Sequence, residues 1–131
     1  MDPLFTSRLH LDQITCLSCS GEYFATGSKD MTIRIWKTIF SSKTPVLDGS
    51  FTLHTSEIAA IDCNVKADLC VSVGIDGKII ALQLSNSQFT RSNKIETIAR
   101  PSFVSVVDNG FFAMLTNVAG QCLFNVFDEN L

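Results

Sequence analysis

Apolar side chains recur in short runs along this chain, and the three-to-four-residue spacing of an amphipathic helix is nearly absent. The runs are rich in Val, Ile, Phe, Leu and Thr and are separated by Gly, Asn, Asp and Ser. They form three triplets, at 14–19, 22–27 and 32–37, at 57–63, 69–74 and 78–84, and at 102–108, 111–117 and 121–127. One more extended stretch precedes each triplet, at 3–9, 45–53 and 88–97. The pattern predicts an all-β chain of about twelve strands in three groups of four.

The turn residues support this grouping. Asp76-Gly77 lies between two apolar runs, which is the strongest short signal for a β-hairpin. Similar pairs occur at 109–110 and 119–120 in the third group. The run at 69–73 is apolar on both faces of a strand, so we expect a sheet that is covered by other sheets on both sides.

The groups repeat at a nearly constant interval. His10 and His54 are 44 residues apart, and Asp30 and Asp76 are 46 residues apart. A period near 40–45 residues with four strands per unit is that of a β-propeller blade. We therefore predict one partial propeller over residues 1–131, with repeats at about 3–37, 45–84 and 88–127.

The residues around the first turn resemble a WD repeat. Leu9-His10 is followed by the segment 27–37, which carries the His, the turn Asp and the strand Trp in the order of that family. The sequence departs from the family where Leu9 and Leu53 replace a Gly, and where Lys37 replaces an Asp.

The resemblance implies a buried polar network in each well-formed blade. In the first repeat its members are His10, Thr26, Asp30 and Trp36. In the second repeat they are His54, Ser72 and Asp76, and the network ends there because Leu82 has no donor. The third repeat has neither the His nor the turn Asp, which makes it a degenerate blade.

A narrower resemblance concerns the second and third repeats. The segments 54–58, 67–77, 103–112 and 123–127 are similar to the C-terminal WD repeats of BEACH-domain proteins of the beige and neurobeachin type. That family is associated with membrane traffic and vesicle scaffolding. It implies a non-enzymatic scaffold for protein–protein interaction, cytoplasmic or peripheral to vesicle or endolysosomal membranes, with no direct membrane insertion.

Such modules usually bind protein partners on the face that carries two sets of loops, those between successive blades and those between the second and third strands of a blade. Its candidate residues here are Asp12, Gln13, Lys29, Met31, Ser56, Glu57 and Ile75.

Composition excludes several other classes. Hydrophobic residues make up 46% of the 131 residues and the net charge is −3, which argues against long disorder. The pI near 5.2 argues against a basic nucleic-acid binder. The N-terminus lacks the pattern of a signal peptide, so we expect the five cysteines to be reduced in the cytosol. Cys16-x-x-Cys19 has no matching second pair and no Gly-rich phosphate loop occurs, so we expect neither a metal nor a cofactor.

Two alternatives remain open. A small β-rich hydrolase could use Ser72, His54 and Asp76, but the same set recurs as Thr26, His10 and Asp30, which favours a structural role. The chain could also be a truncated fragment without independent function, because three units are too few for a ring of four to eight blades. Self-association or missing blades would complete such a ring.

Overall fold

The computed structural model describes residues 2–3, 5–39, 41, 44–94 and 100–128, and these form eleven strands in three antiparallel sheets. The first sheet contains β1 (Ile14–Ser20), β2 (Tyr23–Ser28), β3 (Ile33–Lys37) and β4 (Val46–Phe51). The second contains β5 (Ile58–Asn64), β6 (Leu69–Gly74), β7 (Lys78–Gln83) and β8 (Gln88–Lys94). The third contains β9 (Arg100–Val106), β10 (Phe112–Val118) and β11 (Gln121–Phe127). The prediction of an all-β chain with three antiparallel blades is therefore confirmed.

The sheets differ from the predicted groups by one strand. The sequence pattern groups the stretch 45–53 with the triplet that follows it, but β4 pairs with β3 and so completes the first sheet. In the same way β8 pairs with β7, and residues 95–97 of the stretch 88–97 lie outside the described residues. The described part of the stretch 3–9 contains no strand. The physical reason is that each outer strand runs antiparallel along the edge of the strand before it, whereas β5 packs beside β1 as the first strand of the next sheet. The repeat bounds remain a prediction about the sequence period.

The second sheet is covered on both faces. All six residues of β6 are buried, as the apolar run predicted. Cys70 faces a core cluster shared with the first sheet, and Val71 faces a cluster shared with the third. The first cluster also contains Tyr23, Ile33, Ile35, Ile58, Ile80 and Leu82, and the second contains Val73, Ile79, Val104, Val106, Phe112 and Met114. The hydrophobic core thus consists of two layers, one on each side of the second sheet.

Polar side chains join the innermost strands of the three sheets. The Asp62 carboxylate accepts a hydrogen bond from Ser18 Oγ at 2.8 Å and another from the Val106 N–H at 2.7 Å. Ser18 Oγ in turn accepts from the Cys63 N–H at 3.0 Å. Positions 18, 62 and 106 are each 44 residues apart, so the sequence period is also the spacing of these contacts. One carboxylate therefore connects all three sheets.

A second set of contacts lies at the ends of the same strands. Ser20 Oγ accepts from the Val65 N–H at 2.8 Å. The Asn64 amide donates to the Val106 carbonyl at 3.0 Å and to the Asp108 carboxylate at 2.9 Å. These bonds fix the position of each sheet relative to the next along the direction of the innermost strands. The described residues contain no helix long and apolar enough to span a membrane.

The turns between the second and third strands differ in the residue that follows the turn Asp. Met31 has φ +69°, and Gly77, one place after the corresponding turn Asp, has φ +80°. A side chain at positive φ places Cβ close to the following carbonyl, which costs roughly 1–2 kcal/mol. The first turn therefore carries a conformational strain that the second avoids.

We predict that Met31→Gly stabilises the chain by up to about 1 kcal/mol, because relief of the strained φ outweighs the extra freedom of Gly in the unfolded chain. The reverse change, Gly77→Met, is the matched control and should destabilise by about 1–2 kcal/mol. Urea midpoints with equal m-values measure both effects. A lower midpoint for Met31→Gly would show that packing of the Met31 side chain outweighs the strain.

Candidate functional site

The structure brings the four predicted residues of the first repeat together. His10 Nδ1 lies 3.0 Å from Asp30 Oδ2, and His10 Nε2 lies 2.7 Å from Thr26 Oγ1. Trp36 Nε1 donates to the same Thr26 oxygen at 3.1 Å. The side chains of His10 and Asp30 are only 5% and 6% exposed, so little of this pair reaches solvent.

The donors and acceptors of this network balance in one arrangement. The indole N–H of Trp36 donates to Thr26, and the Thr26 hydroxyl then donates to His10 Nε2. This leaves the imidazole proton on Nδ1, where it faces the Asp30 carboxylate. Every polar group in the network is therefore paired, which a buried network requires.

Thr32 is a member that the sequence analysis missed. Its hydroxyl donates to Asp30 Oδ1 and lies 3.1 Å from His10 Nδ1. The available signal was a hydroxyl residue two places after the turn Asp, because Asp side chains in turns accept hydrogen bonds from that position. The second repeat has Lys78 there, and its backbone N–H donates to Asp76 at 2.9 Å.

The Asp30 carboxylate connects two loops. Burial opposes its ionisation, but hydrogen bonds from the Thr32 hydroxyl, the backbone N–H groups of Leu11 and Thr32, and His10 hold the pKa of Asp30 well below its ordinary value. Because the Leu11 N–H and the Thr32 N–H lie in different loops, the carboxylate fixes one against the other.

The second repeat has the same arrangement of His, hydroxyl and Asp side chains, but without a Trp. His54 Nε2 lies 2.8 Å from Ser72 Oγ, and His54 Nδ1 lies 3.3 Å from Asp76 Oδ1. Asp76 Oδ2 accepts from the Thr55 N–H at 2.7 Å. Leu82 is buried where Trp36 stands in the first sheet, and it offers no donor.

Gly74 makes room for the second pair. A Cβ at this position would overlap Asp76 Oδ1 and His54 Nδ1. The position therefore accepts no side chain while the carboxylate and the imidazole keep their contact.

Burial sets the protonation of His54. Desolvation lowers the pKa of His54 below its ordinary value, and the hydrogen bond to Asp76 and that residue's charge only partly oppose this. The pKa of Asp76 is also lowered, since burial is outweighed by the backbone N–H groups of Thr55 and Lys78 and by His54. The pair is thus a neutral imidazole donating to a carboxylate.

The arrangement of Ser72, His54 and Asp76 is closed to a substrate. Ser72 is 1% exposed and His54 is 3% exposed, so the hydroxyl cannot reach a scissile carbonyl. The geometry instead supports the structural interpretation, in which the three side chains connect the loop at 54–55 to the turn at 76–78.

The candidate binding residues lie on the loops that these networks connect. In the first sheet, Asp12, Gln13, Lys29 and Met31 are exposed, and the Lys29 N–H donates to the Gln13 carbonyl at 2.9 Å. In the second sheet, Ser56, Glu57 and Ile75 are half-buried, and the Ile75 N–H donates to the Glu57 carbonyl at 3.0 Å. Each half of this loop face is therefore one connected unit.

Leu11 adds an apolar residue to the loop face. Its side chain is 90% exposed, and Met31 in the neighbouring turn is 39% exposed. The backbone of Leu11 is held by Asp30 at 2.9 Å, so an exposed leucine is presented from a fixed position.

The cysteines offer no metal site in the described residues, where no cluster of three His, Cys, Asp or Glu side chains is close enough to hold an ion. Cys16 packs against the cluster between the first and second sheets, whereas Cys19 is exposed. The two thiols of the Cys-x-x-Cys segment therefore lie on opposite faces of β1.

Comparison with known proteins agrees with this geometry. Residues 1–37 match the family model "WD domain, G-beta repeat". The BEACH domain-containing protein lvsE of Dictyostelium discoideum is 33% identical over 88 residues, which cover 63% of this chain and 4% of that protein. The solved structures of U3-55K and of the RRP9 WD40 repeats each superpose with a TM-score of 0.73 at 15% identity, covering 91% of this chain and 38% of theirs. The predicted resemblances, to WD-repeat propellers and to a BEACH-type protein, are confirmed.

We predict that the stability of the chain falls as the pH drops from about 7 to about 5. The unfolded chain takes up a proton on His54 near pH 6.5, whereas the folded chain, in which the pKa of His54 is lowered, does not. The slope from this residue is at most about 1.4 kcal/mol per pH unit. The Asp carboxylates change the stability only at lower pH, below their unfolded-state pKa of about 3.9.

Urea midpoints across this pH range test the effect. His54→Gln should flatten the slope, and His10→Gln, which retains His54, is the matched control and should keep it. A slope that His54→Gln leaves unchanged would show that His54 binds its proton equally well in the folded chain.

Proposed function

We propose that this chain is a non-enzymatic interaction module that docks a protein segment on its loop face. WD repeats are typically protein-interaction scaffolds, and their fold is generally non-enzymatic. The observation that carries the proposal is the pair of buried networks. In the first sheet Asp30 holds the backbone of Leu11 and Thr32, and in the second Asp76 holds that of Thr55 and Lys78.

The loop face has the composition of a small docking site. An apolar pair, Leu11 and Met31, lies next to charged side chains of both signs, Asp12 and Lys29. Interfaces combine apolar anchors with a polar rim, and a few anchors provide most of the affinity. We therefore expect the partner to be a protein segment that inserts an apolar side chain beside Leu11.

We further propose that the module serves membrane traffic in the cytoplasm, at vesicle or endolysosomal membranes, as part of a BEACH-type protein. The support is the 33% identity to lvsE over 88 residues. This chain spans only 4% of the length of lvsE. The outer faces of the first and third sheets, which expose Leu17 and Phe124, would then be covered by further blades or by a second copy.

The loop face is tested by capturing proteins from cytosolic extract on the immobilised chain. We predict that replacing Leu11, Asp12, Lys29 and Met31 together by Ser lowers recovery of the specifically bound proteins at least about tenfold, since loss of one or two anchors costs more than about 1.4 kcal/mol.

The matched control replaces Glu22 and Lys66 by Ser, because both are exposed on turns at the opposite ends of the strands. This variant should retain full recovery. Equal recovery by the loop-face variant, or equal loss in the control, would remove the loop face as the docking site.

A further inference from the structure

Two cysteine side chains of the second sheet are in direct contact in its core. Cys63 on β5 is the cross-strand neighbour of Cys70 on β6, and the Cys63 thiol donates a hydrogen bond to Cys70 Sγ at 3.5 Å. Both residues belong to the cluster between the first and second sheets, where they are 5% and 0% exposed. All five cysteines of the chain are free thiols in the structure. The two sulfur atoms therefore meet without being bonded.

The backbone brings these two positions as close together as an antiparallel pair allows. The Cys63 N–H donates to Ser18 Oγ at 3.0 Å, so it points away from β6. On the other side of β6, the Leu84 N–H donates to the Asp68 carbonyl, and two residues further along the strand Cys70 faces β7 in the same way. Cys63 and Cys70 thus form a non-hydrogen-bonded pair, whose Cα atoms are about 4.5 Å apart.

This separation suits a covalent link. Disulfides join Cα atoms that are about 4.4–6.8 Å apart, and the bond itself is about 2.05 Å long. Because the two sulfur atoms already lie 3.5 Å apart, rotation of the two side chains is enough to bring them together. Neither strand has to move.

The contact between two thiols is a property of the second sheet and not of the stacking of the sheets. Cys19 precedes Cys63 by 44 residues and lies at the matching place on β1. Its cross-strand neighbour, however, is Phe24, which precedes Cys70 by 46 residues. A sheet of this kind therefore forms without a second thiol, and the packing does not by itself account for the pair.

We propose that Cys63 and Cys70 are a modification site, at which hydrogen peroxide closes a reversible disulfide between β5 and β6. Disulfides inside cells are typically transient and redox-sensing, which fits a pair that is reduced at rest. The site is buried between two sheets, so its chemistry is independent of what the loop face binds.

Cys63 is the sulfur that reacts first, because it is the member of the pair that retains some exposure. Its thiolate attacks one oxygen of hydrogen peroxide, the O–O bond breaks, and the departing hydroxide takes up the thiol proton to form water. The product is a sulfenic acid on Cys63. Burial of the pair makes this step the slow one.

Cys70 then resolves the sulfenic acid. The hydrogen bond with Cys63 and burial hold the pKa of Cys70 well above its ordinary value, so Cys70 enters this step as a thiol. Its sulfur attacks Cys63 Sγ, the S–O bond breaks, and hydroxide leaves with the Cys70 proton as a second water. The contact at 3.5 Å favours this step, because a reactant held in place acts at a high effective concentration. In total the two thiols lose two protons and two electrons, and peroxide becomes two waters.

Peptide mapping of the whole chain tests the link. Folded chain is treated with hydrogen peroxide near neutral pH, the remaining thiols are blocked, and the protein is unfolded and digested with trypsin. Trypsin cleaves after Lys66, so the disulfide joins the peptide that ends there to the peptide that begins at Ala67. Cys16 and Cys19 fall in the separate peptide 9–29. We predict that the Cys63–Cys70 link is at least about tenfold more abundant than any other, since only this pair is held in contact.

The same treatment in unfolding urea is the reference, and there the five thiols should give a mixture of links. A Cys63–Cys70 link that forms only in urea would overturn the site, because it would owe nothing to the folded geometry. Links from Cys16 that exceed the Cys63–Cys70 link in the folded chain would overturn it as well. Incubation with dithiothreitol should restore both thiols, and failure to do so would contradict a reversible disulfide.

Two variants separate the roles of the sulfur atoms. Cys70→Ala removes the resolving thiol, so Cys63 should accumulate as sulfenic acid, which dimedone traps once the chain is unfolded. Cys16→Ala is the matched control, because Cys16 packs on the same cluster, and it should keep the link. A link lost equally in both variants would show that packing of the cluster, and not the pair, controls the reaction. The mapping of the unaltered chain stands even if Cys70→Ala fails to fold.

The oxidised chain should also resist unfolding. A disulfide between residues 63 and 70 closes a short loop of the unfolded chain, which should lower the equilibrium constant of unfolding at least about tenfold. Urea midpoints before and after oxidation, and again after reduction, measure the change. A midpoint that falls on oxidation would show that the folded geometry does not accept the bond.

Discussion

The second sheet is apolar on both faces, and the whole architecture depends on covering both. Burial of one large aliphatic side chain contributes roughly 1.5–3 kcal/mol, and β6 alone presents Leu69 and Val71 in one direction and Cys70 in the other. Neither neighbouring sheet could replace the other, because they pack against different residues. The first and third sheets thus each bury one face against the second.

Hydrogen bonds convert this apolar stacking into a defined geometry. Apolar contact alone allows one sheet to slide over another, but Asp62 binds Ser18 on one side and the Val106 N–H on the other. The His10–Asp30 and His54–Asp76 pairs do the same within a sheet, where each carboxylate holds two loops. Order at the loop face is therefore a consequence of groups buried beneath it.

The strands, the blades and most members of the two networks were predictable from the sequence, because the local residue pattern and the overall fold agree. Alternating short apolar runs indicated the strands, and the 44- to 46-residue interval indicated both the blades and the members of the two networks. Asp62 was not predictable, because a half-buried carboxylate on a strand looks like a solvated residue until the neighbouring sheets are in place. Thr32 was missed because a hydroxyl after a turn is common. The assignment of 45–53 to the first sheet depended on which strand edge was free, and that is a property of the assembled sheets.

The second sheet is thus the stabilising core of the array. Native-state hydrogen exchange, followed residue by residue in the 131-residue chain, tests it most directly. The amides of β5, β6 and β7 should exchange most slowly, through global unfolding, while those of β4 and β11 should exchange through smaller openings. Slower exchange in the first or third sheet than in β6 would contradict it.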